Sequence, residues 1–206
     1  MKKLNEYFDK IYCINLDRRP DRKQKCNEQF ERIELDVEFF SAIDKEKILE
    51  NRSNITTGQL ACLSSHYNII RKAEKYGHNK ILILEDDVVF SDNLQEIFKN
   101  SIKDVPSDWM MLYFGGNHLN GTIKITNNVY RMVSSLTTHA YAVKSDLYQT
   151  IISKLEDAVS PVDIYYAHIH RICPSYVMQD GDKQLIWQDV GYSDIDESEC
   201  DYTWLR

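Results

Sequence analysis

The sequence predicts an α/β fold in which short buried strands follow amphipathic helices. Residues 80–84 (KILIL) form an apolar run that is too short for a helix, which is typical of a strand buried on both faces of a sheet. Before it, apolar residues recur at three- and four-residue steps from Leu60 to Ala73, as on one face of a helix. Residues 10–16 (KIYCINL) are a second run rich in β-formers, and Pro20, which suits the first position of a helix, follows closely. These three observations predict strands and helices in alternation.

The remaining elements follow from the same patterns. In the long central helix, Thr56 or Thr57 can cap the start and Gly77 can end it. Runs of β-formers predict further strands at 37–43, 108–114, 122–125, 129–133, 139–143, 176–178 and 184–187, and amphipathic runs predict further helices at 94–102, 145–155 and 162–169. The acidic stretch 188–206 is predicted to be an irregular tail.

Length and composition restrict the class of protein. With 206 residues and no linker rich in Gly, Ser or Pro, the chain is expected to form one domain (1–206, with a core at about 8–195). A formal charge of −7 and a pI near 5.4 argue against nucleic acid or an anionic membrane as the main partner. No apolar run is long enough for a transmembrane segment, and the amino terminus lacks the apolar core of a signal peptide, so a soluble, cytoplasmic protein is expected. The five scattered cysteines then favour reduced thiols.

Three consecutive acidic residues, Glu85, Asp86 and Asp87, follow the central predicted strand. The carboxyl ends of strands in α/β sheets are where ligands bind. In extended backbone Glu85 and Asp87 would point to the same side, so this pair could share a divalent cation or a ribose. Mg²⁺ and Mn²⁺ take one or two protein carboxylates and complete their shell with water and substrate phosphates. The alternative is a solvated acidic turn without a ligand.

Basic residues follow the first predicted strand. Arg18, Arg19 and Arg22 surround the start of the next helix, where exposed N–H groups and guanidinium forks both favour phosphate. The alternative is a solvated basic helix start. His66, in the central helix, also has two interpretations: a hydrogen bond to a nucleotide or diphosphate, or a core histidine bonded to a backbone carbonyl.

Asp163 is a further acidic residue with two interpretations. Ser160, Pro161 and Asp163 have the arrangement of a capping box that would open the helix at 162–169. In that case the carboxylate of Asp163 has a structural role. If the start of this helix faces the acidic turn, the same carboxylate is available in a pocket.

Several stretches together resemble glycosyltransferase family 25, which includes bacterial lipooligosaccharide galactosyltransferases and collagen β-galactosyltransferases. The matching pieces are IYCINLDRRPDR (11–22), GQLACLSSH (58–66), ILILEDDVVF (81–90), HAYAVKSDLY (139–148), PVDIYY (161–166) and SDI (193–195). They occur in the order of the family and cover most of the chain. The trio INLDRR, C-x-x-SH and LEDD in this order is the most specific part.

The resemblance implies a single-domain fold of the GT-A type, with a central mixed, mostly parallel sheet flanked by helices. It implies a UDP-sugar donor of galactose or glucose, Mn²⁺ or Mg²⁺ as cofactor, and transfer with inversion to a glycan, glycolipid or hydroxylated protein, as in lipopolysaccharide biosynthesis. Carried over by position, the residues implied for the nucleotide-sugar are Asn15, Leu16, Arg18, Arg19, Arg22, Ser65, His66, Glu85 and Asp86. Asp87 is implied as the metal ligand and Asp163 as the catalytic base.

Two other functions use the same residues. A non-catalytic protein that binds UDP-sugars would keep the nucleotide residues and lack a working base. A metal-dependent nucleotidyltransferase or phosphohydrolase could use the acidic turn, and would release pyrophosphate or phosphate instead of transferring a sugar.

Overall fold

A mixed sheet lies between two groups of helices. The computed structural model describes residues 2–49 and 54–205. The strands are β1 (Lys10–Asn15), β2 (Glu38–Ser41), β3 (Lys80–Glu85), β4 (Val88–Phe90), β5 (Met111–Tyr113), β6 (Asn117–Lys124), β7 (Val129–Leu136), β8 (Ala140–Lys144), β9 (Ser175–Asp180), β10 (Lys183–Gln184), β11 (Ile186–Gln188), β12 (Gly191–Ser193) and β13 (Ser198–Cys200). The helices are α1 (Leu4–Tyr7), α2 (Pro20–Arg32), α3 (Thr57–Lys75), α4 (Leu94–Ser101), α5 (Tyr148–Leu155) and α6 (Val162–His170). Within the described residues, no helix combines the length and the apolar character needed to cross a membrane.

The main sheet is parallel in some places and antiparallel in others. In the described part of the chain it contains nine strands in the order β2-β1-β3-β8-β5-β9-β7-β6, with β10 paired to β9. β1 is parallel to β2 and β3, and β5 is parallel to β9, whereas the other pairs are antiparallel. The predicted α/β class with a mixed central sheet is confirmed. Because β1 and β3 are parallel, their carboxyl ends lie side by side, with Ile14 opposite Glu85.

Strand β3 is buried on both faces, as predicted. Leu82 and Leu84 point into the core shared with α1, α2 and α4. Ile81 and Ile83 point into the opposite core, shared with α3, α5 and α6. All four side chains are fully buried, and each such burial contributes about 1.5–3 kcal/mol. The residues that follow β3 are therefore held at a defined place on the edge of the sheet.

The boundaries of the central helix follow the predicted signals. Thr56 caps α3: its Oγ1 accepts a hydrogen bond from the backbone N–H of Gln59, and the Gln59 side chain accepts one from the N–H of Thr56, both at 3.1 Å. After the helix ends at Lys75, Gly77 has a φ of 69°, which glycine adopts readily. Pro20 is the first residue of α2, as predicted.

The five cysteines form no disulfide with one another in the structure. All five have free thiols. Cys26 is buried in α2, and its Sγ donates a hydrogen bond to the carbonyl oxygen of Asp86 at 3.3 Å. The thiol therefore supports the backbone of the acidic turn.

Two expectations for the second half of the chain are wrong. The irregular tail predicted at 188–206 is wrong for the described residues 188–205, because β12 and β13 pair as a hairpin and Thr203–Leu205 forms a turn of 3₁₀ helix. The hairpin strands have three residues each and expose much of their surface, which is too little for an alternating pattern. The capping box at Ser160 also does not form: Pro161 is the cap residue of α6 and makes no side-chain hydrogen bond. The carboxylate of Asp163 accepts a bond from the N–H of Thr137 instead.

The last residue of α6, His170, is a buried histidine that contacts β5 and β7. His170 is 3% exposed, its Nδ1 accepts a hydrogen bond from the N–H of Ser135 at 3.2 Å, and its ring lies edge-on to Tyr113. Its Nε2 is buried without a hydrogen-bond partner among the described residues. A charged ring would lose its hydration here, so burial, aided by the nearby His118, lowers the pKa of His170 to about 3.

His170 predicts a loss of stability in acid. The ordinary histidine pKa is 6.5, so below that pH the unfolded chain takes up a proton that the folded state does not. The stabilisation is complete above this value and is lost as the pH falls toward the folded pKa. Measured by urea denaturation, the stability of the wild type relative to His170→Gln should fall by up to about 1.4 kcal/mol per pH unit between about pH 6 and 4. A difference that does not change with pH would contradict this explanation.

Candidate functional site

The carboxyl ends of β1 and β3 open into a cleft of about 950 Å³ that is partly exposed to solvent. The start of α3 and the segment after β11 form its other walls. Of the predicted site residues, those that line it are Leu16, Arg18, Arg22, Ser65, His66, Glu85, Asp86 and Asp87. Asn15 and Arg19 lie behind this lining and are hydrogen-bonded to Asp86 and Asp194. The cleft therefore gathers most of the predicted residues around the acidic turn.

Glu85 lies at the end of β3 with its side chain 19% exposed. Its Oε1 accepts a hydrogen bond from Oγ1 of Thr138 at 2.7 Å and lies 3.4 Å from Nε2 of the fully buried His66. Burial opposes ionisation, but the neighbouring His66 and Thr138 outweigh it and hold the pKa of Glu85 below its ordinary value. Glu85 is therefore a fixed anion in the cleft.

Asp86 is fully engaged by protein groups. Its Oδ2 accepts a hydrogen bond from Nδ2 of Asn15, and its Oδ1 accepts one from Nη1 of Arg22, both at 2.7 Å. Burial raises the pKa of Asp86 although Arg22 opposes the rise. This carboxylate therefore ties β1 and α2 to the acidic turn.

Asp87 is the carboxyl group of the three with a buried oxygen that has no hydrogen-bond partner among the described residues. Its Oδ2 accepts a hydrogen bond from Nε2 of Gln188 at 3.2 Å, and Arg22 is 3.9 Å away. Its Oδ1 is buried without a hydrogen-bond partner among the described residues, and so is Oε1 of Gln188. Burial, together with the charges of Glu85 and Asp86, raises the pKa of Asp87 to about 7. A carboxylate oxygen and an amide oxygen without partners match the ligand preferences of Mg²⁺ and Mn²⁺.

A divalent cation at Asp87 would need ligands besides the protein's acidic groups. Within residues 2–49 and 54–205, no three side chains of His, Cys, Asp or Glu are arranged to hold a metal ion. Asp87 and Gln188 offer two oxygens, and water or the phosphates of a ligand would fill the other positions, as is common for Mg²⁺. The side chains present therefore fit a cation that arrives with an anionic ligand.

The arginines predicted to bind phosphate contact the last segment of the chain. Arg18 donates a hydrogen bond to one oxygen of Asp194 at 2.7 Å, and Arg19 donates to the other at 2.5 Å. Arg22 donates to the carbonyl oxygen of Tyr192 at 2.6 Å. Burial disfavours charge on Asp194, but the two arginines outweigh it and hold the pKa of this residue below its usual value. The β12–β13 hairpin therefore lies over the guanidinium groups.

A second cleft, of about 800 Å³, adjoins the first. Asp163 lines it from the start of α6, with Thr137 and Thr138 beside it. Asp163 accepts backbone hydrogen bonds from Thr137 at 3.3 Å and from Ile164 at 2.9 Å, and its carboxylate is half-buried. The residues that line both clefts are Cys62, Glu85, Gln188, Ile195, Asp196 and Tyr202. The start of α6 therefore faces the acidic turn, as the second interpretation of Asp163 requires.

Ser65 and His66 are buried in the wall of the first cleft. Ser65 is 1% exposed, and its Oγ bonds to two backbone groups at 2.9 Å each. His66 is fully buried, and its Nδ1 lies 2.9 Å from the hydroxyl of Tyr141. Its bond is therefore to a side chain and not to a backbone carbonyl. The hydroxyl of Ser65 and Nδ1 of His66 are engaged by protein. Nε2 of His66 has no hydrogen-bond partner among the described residues and lies 3.4 Å from Oε1 of Glu85, so His66 reaches the cleft through Glu85.

Comparison with known proteins identifies the family. Residues 8–120 match the model of glycosyltransferase family 25, described as an LPS biosynthesis protein. The chain belongs to glycosyltransferase family 25. The matched stretch contains β1, the arginines and the acidic turn, whereas Asp163 and the hairpin lie beyond it.

Three family 25 relatives show how far this similarity extends. A glycosyltransferase 25 family member of Aedes aegypti is 32% identical over 133 aligned residues, covering 53% of this chain and 21% of the relative. Procollagen galactosyltransferase 1 of Danio rerio is 29% identical over 129 aligned residues, which cover 52% of this chain and 21% of that protein. Inactive glycosyltransferase 25 family member 3 of Mus musculus is 26% identical over 141 aligned residues, which cover 58% of this chain and 24% of that protein. The chain spans less than a quarter of the length of these relatives, and one of them is named inactive.

Sequence reasoning missed three residues of the candidate site. Gln188 reaches Asp87 because β11 pairs with β4, which no local pattern indicates. Thr138 lies just before the HAYAVK piece and belongs to no motif. Asp194 lies within the SDI piece, so the resemblance to the family pointed to this residue. It was not assigned to the site because residues 188–206 were expected to be an irregular tail.

Asp194→Asn should loosen the β12–β13 hairpin. The substitution removes the charge that Arg18 and Arg19 contact, and hydrogen bonds to charged groups contribute about 1.5–3 kcal/mol each, less where the side chains are exposed. We expect the hairpin amides to exchange with D₂O roughly 5- to 30-fold faster, measured by mass spectrometry. Asp189→Asn is the matched control, because Asp189 lies in the same segment and is 4.0 Å from Lys25. Equal exchange in the two variants would argue against an anchoring role for Asp194.

Proposed function

We propose that this protein is an inverting glycosyltransferase that transfers a hexose, galactose or glucose, from a UDP-sugar to a hydroxyl group of a glycan, glycolipid or hydroxylated protein. The observation that carries the proposal is that two clefts meet at Glu85. One cleft combines guanidinium groups with the acidic turn, and the other contains Asp163. Two substrates can therefore approach the same carboxylate from different sides.

The first cleft suits a nucleoside diphosphate. Guanidinium forks match the geometry of phosphate oxygens, and Arg18 and Arg19 already hold the carboxylate of Asp194. A diphosphate would share these arginines with Asp194 or replace it. The phosphates would then lie between the arginines and Asp87, and the sugar would extend toward Glu85.

The proposed cofactor is Mn²⁺ or Mg²⁺, held by Asp87 with the amide oxygen of Gln188. Such an ion would act as a Lewis acid on the departing diphosphate. The partnerless Oδ1 of Asp87 supports this assignment, because a buried carboxylate oxygen without a donor is stabilised by a cation. Arg22, 3.9 Å from Asp87, adds positive charge on the same side.

Glu85 and Asp163 have separate roles in the proposed reaction. Glu85, fixed by Thr138, accepts hydrogen bonds from the donor sugar and orients its anomeric carbon toward the second cleft. A hydroxyl group in that cleft is a weak nucleophile, and Asp163 takes its proton as the new bond forms. With the leaving group in one cleft and the base in the other, attack and departure occur on opposite sides of the anomeric carbon, which gives inversion.

Two other functions remain to be separated by experiment. The relative named inactive makes a UDP-sugar-binding protein without transferase activity the second candidate. A nucleotidyltransferase or phosphohydrolase would use the same acidic turn. Incubation of UDP-galactose and UDP-glucose with Mn²⁺ and acceptor glycans gives UDP with a transferase, binding alone with the binding protein, and UMP with sugar 1-phosphate with a phosphohydrolase. A nucleotidyltransferase would instead release pyrophosphate from UTP and a sugar 1-phosphate.

Asp87→Asn should abolish metal-dependent UDP release, by at least about 100-fold, because the cation loses its charged ligand. The fold should persist, and the melting temperature without metal should stay equal or rise, since burial disfavours the ionised carboxylate of Asp87. UDP release and circular dichroism measure the two effects. Asp92→Asn, at an exposed carboxylate in the next loop, is the control and should keep full activity. Unchanged release by Asp87→Asn would sink the metal assignment.

Asp163→Asn should impair transfer to an acceptor by about 10²- to 10⁴-fold, as expected for loss of a general base. Hydrolysis of the donor by water and the affinity for UDP should change little, because the second cleft binds the acceptor. Product formation with an acceptor, compared with UDP release without one, separates these steps. Asp157→Asn, at an exposed position between α5 and α6, serves as the control. Equal loss of hydrolysis and transfer would argue against Asp163 as the base.

A further inference from the structure

We propose that His66, Tyr141 and Tyr166 form a hydrogen-bonded network that positions Glu85 and couples it to the helix carrying Asp163. The role of Glu85 in this proposal rests on the proposed function. The contacts of the network are observed in the structure and do not depend on that function. In this proposal the three residues are positioning residues, since they touch Glu85 or one another and lie beneath the clefts.

The network connects three elements of the fold. Nδ1 of His66, in α3, lies 2.9 Å from the hydroxyl of Tyr141, in β8. That hydroxyl lies 3.0 Å from the hydroxyl of Tyr166, in α6. At the other end, Nε2 of His66, which has no hydrogen-bond partner among the described residues, contacts Oε1 of Glu85 at 3.4 Å. The contacts thus run without interruption from Glu85 to the third residue after Asp163.

The polarity of these hydrogen bonds follows from the carboxylate. Oε1 of Glu85 is an acceptor, because Thr138 donates to it. In the neutral ring of His66, the nitrogen that faces this carboxylate, Nε2, is therefore the protonated one, and Nδ1 is left as an acceptor. Tyr141 then donates to Nδ1, and Tyr166 donates to Tyr141. The opposite polarity would direct a lone pair of Nε2 at the carboxylate.

Packing leaves the network little freedom to move. His66, Tyr141 and Tyr166 are each fully buried. The Tyr166 ring meets the Tyr141 ring edge-on at 5.2 Å between centres, and the Tyr113 ring stacks on Tyr141 at 5.7 Å. A hydrogen bond lost from this interior is not replaced by water, so its loss is transmitted to the next member.

The stacked tyrosine supplies a matched control. Tyr113 is as deeply buried as Tyr141, and its hydroxyl has no hydrogen-bond partner among the described residues. Tyr113→Phe therefore removes the same atom from the same core without breaking the network. Tyr141→Phe breaks it at the centre, and Tyr166→Phe removes only its last member.

The first measurement tests the geometry independently of any activity. Two-bond ¹H–¹⁵N correlation NMR of protein labelled in its six histidines reports which nitrogen of each ring carries the proton, and loss of one signal set in His66→Gln assigns His66. We expect the Nε2–H form in the wild type and in Tyr113→Phe, and a change of tautomer population in Tyr141→Phe. An Nδ1–H ring in the wild type, or an identical spectrum in Tyr141→Phe, would overturn the network.

The second measurement tests the consequence for Glu85. Using UDP-galactose or UDP-glucose, whichever turns over, kcat/KM for UDP release should fall about 10-fold in Tyr141→Phe and about 3-fold in Tyr166→Phe, and change less than about 2-fold in Tyr113→Phe. The affinity for UDP should be the same in all three, because UDP lacks the sugar that Glu85 contacts. In a Glu85→Gln background, Tyr141→Phe should lower kcat/KM for UDP release little further, because the residue that the network positions is already changed.

The outcomes separate the two proposals. The positioning role is overturned if kcat/KM for UDP release falls equally in Tyr141→Phe and Tyr113→Phe. It is also overturned if the effect of Tyr141→Phe on kcat/KM is as large in the Glu85→Gln background as in the wild type. Either result leaves the proposed transferase activity intact. A wild type that turns over neither sugar nucleotide, alone or with an acceptor glycan, contradicts the proposed function, and with it the positioning of a catalytic Glu85. The tautomer measurement still decides whether the network exists.

Discussion

Three consecutive carboxyl groups at the end of one buried strand are the constraint on which the rest of this structure depends. Like charges at adjacent positions, partly removed from water, destabilise a fold unless each has its own partner. Here the partners come from different directions. The first carboxylate is contacted by His66 from α3 and hydrogen-bonded from the connection between β7 and β8. The second is bonded from β1 and α2, and the third from β11. Satisfying the acidic turn thus fixes five parts of the chain relative to one another.

This requirement explains why the site uses both ends of the sequence. Arg22 spans the distance from the acidic turn to the β12–β13 hairpin, since it donates to Asp86 and to the carbonyl oxygen of Tyr192. Pairing of β4 with β11 brings Gln188 onto Asp87. The first and second clefts share a wall because these segments converge there. A change in the hairpin is therefore a change in the surroundings of the acidic turn, although the two are about a hundred residues apart in the sequence.

Much of the first half of the fold could be predicted from local patterns. The signals for β1, α2, α3 and β3 lie within each element: a capping threonine, a helix-starting proline, an apolar run between breakers. The hairpin and the pairing of β11 with β4 could not be predicted in this way, because three-residue strands have no measurable period and their partners are distant. The same distinction holds in the site. The acidic turn was evident from sequence, whereas the engagement of Ser65 by backbone groups and of His66 by Tyr141 depends on packing between elements.

The incomplete satisfaction of Asp87 is the strongest physical argument for a ligand at this site. If the turn had only a structural task, a neutral side chain at this position would avoid the burial of charge beside Glu85 and Asp86. The fold instead retains a carboxylate whose pKa is raised to about 7, next to an amide whose oxygen lacks a donor. A group kept at a cost to stability is typical of functional sites, where a ligand supplies the missing interaction. A cation brought by a diphosphate would supply it here, so binding and stability are expected to rise together.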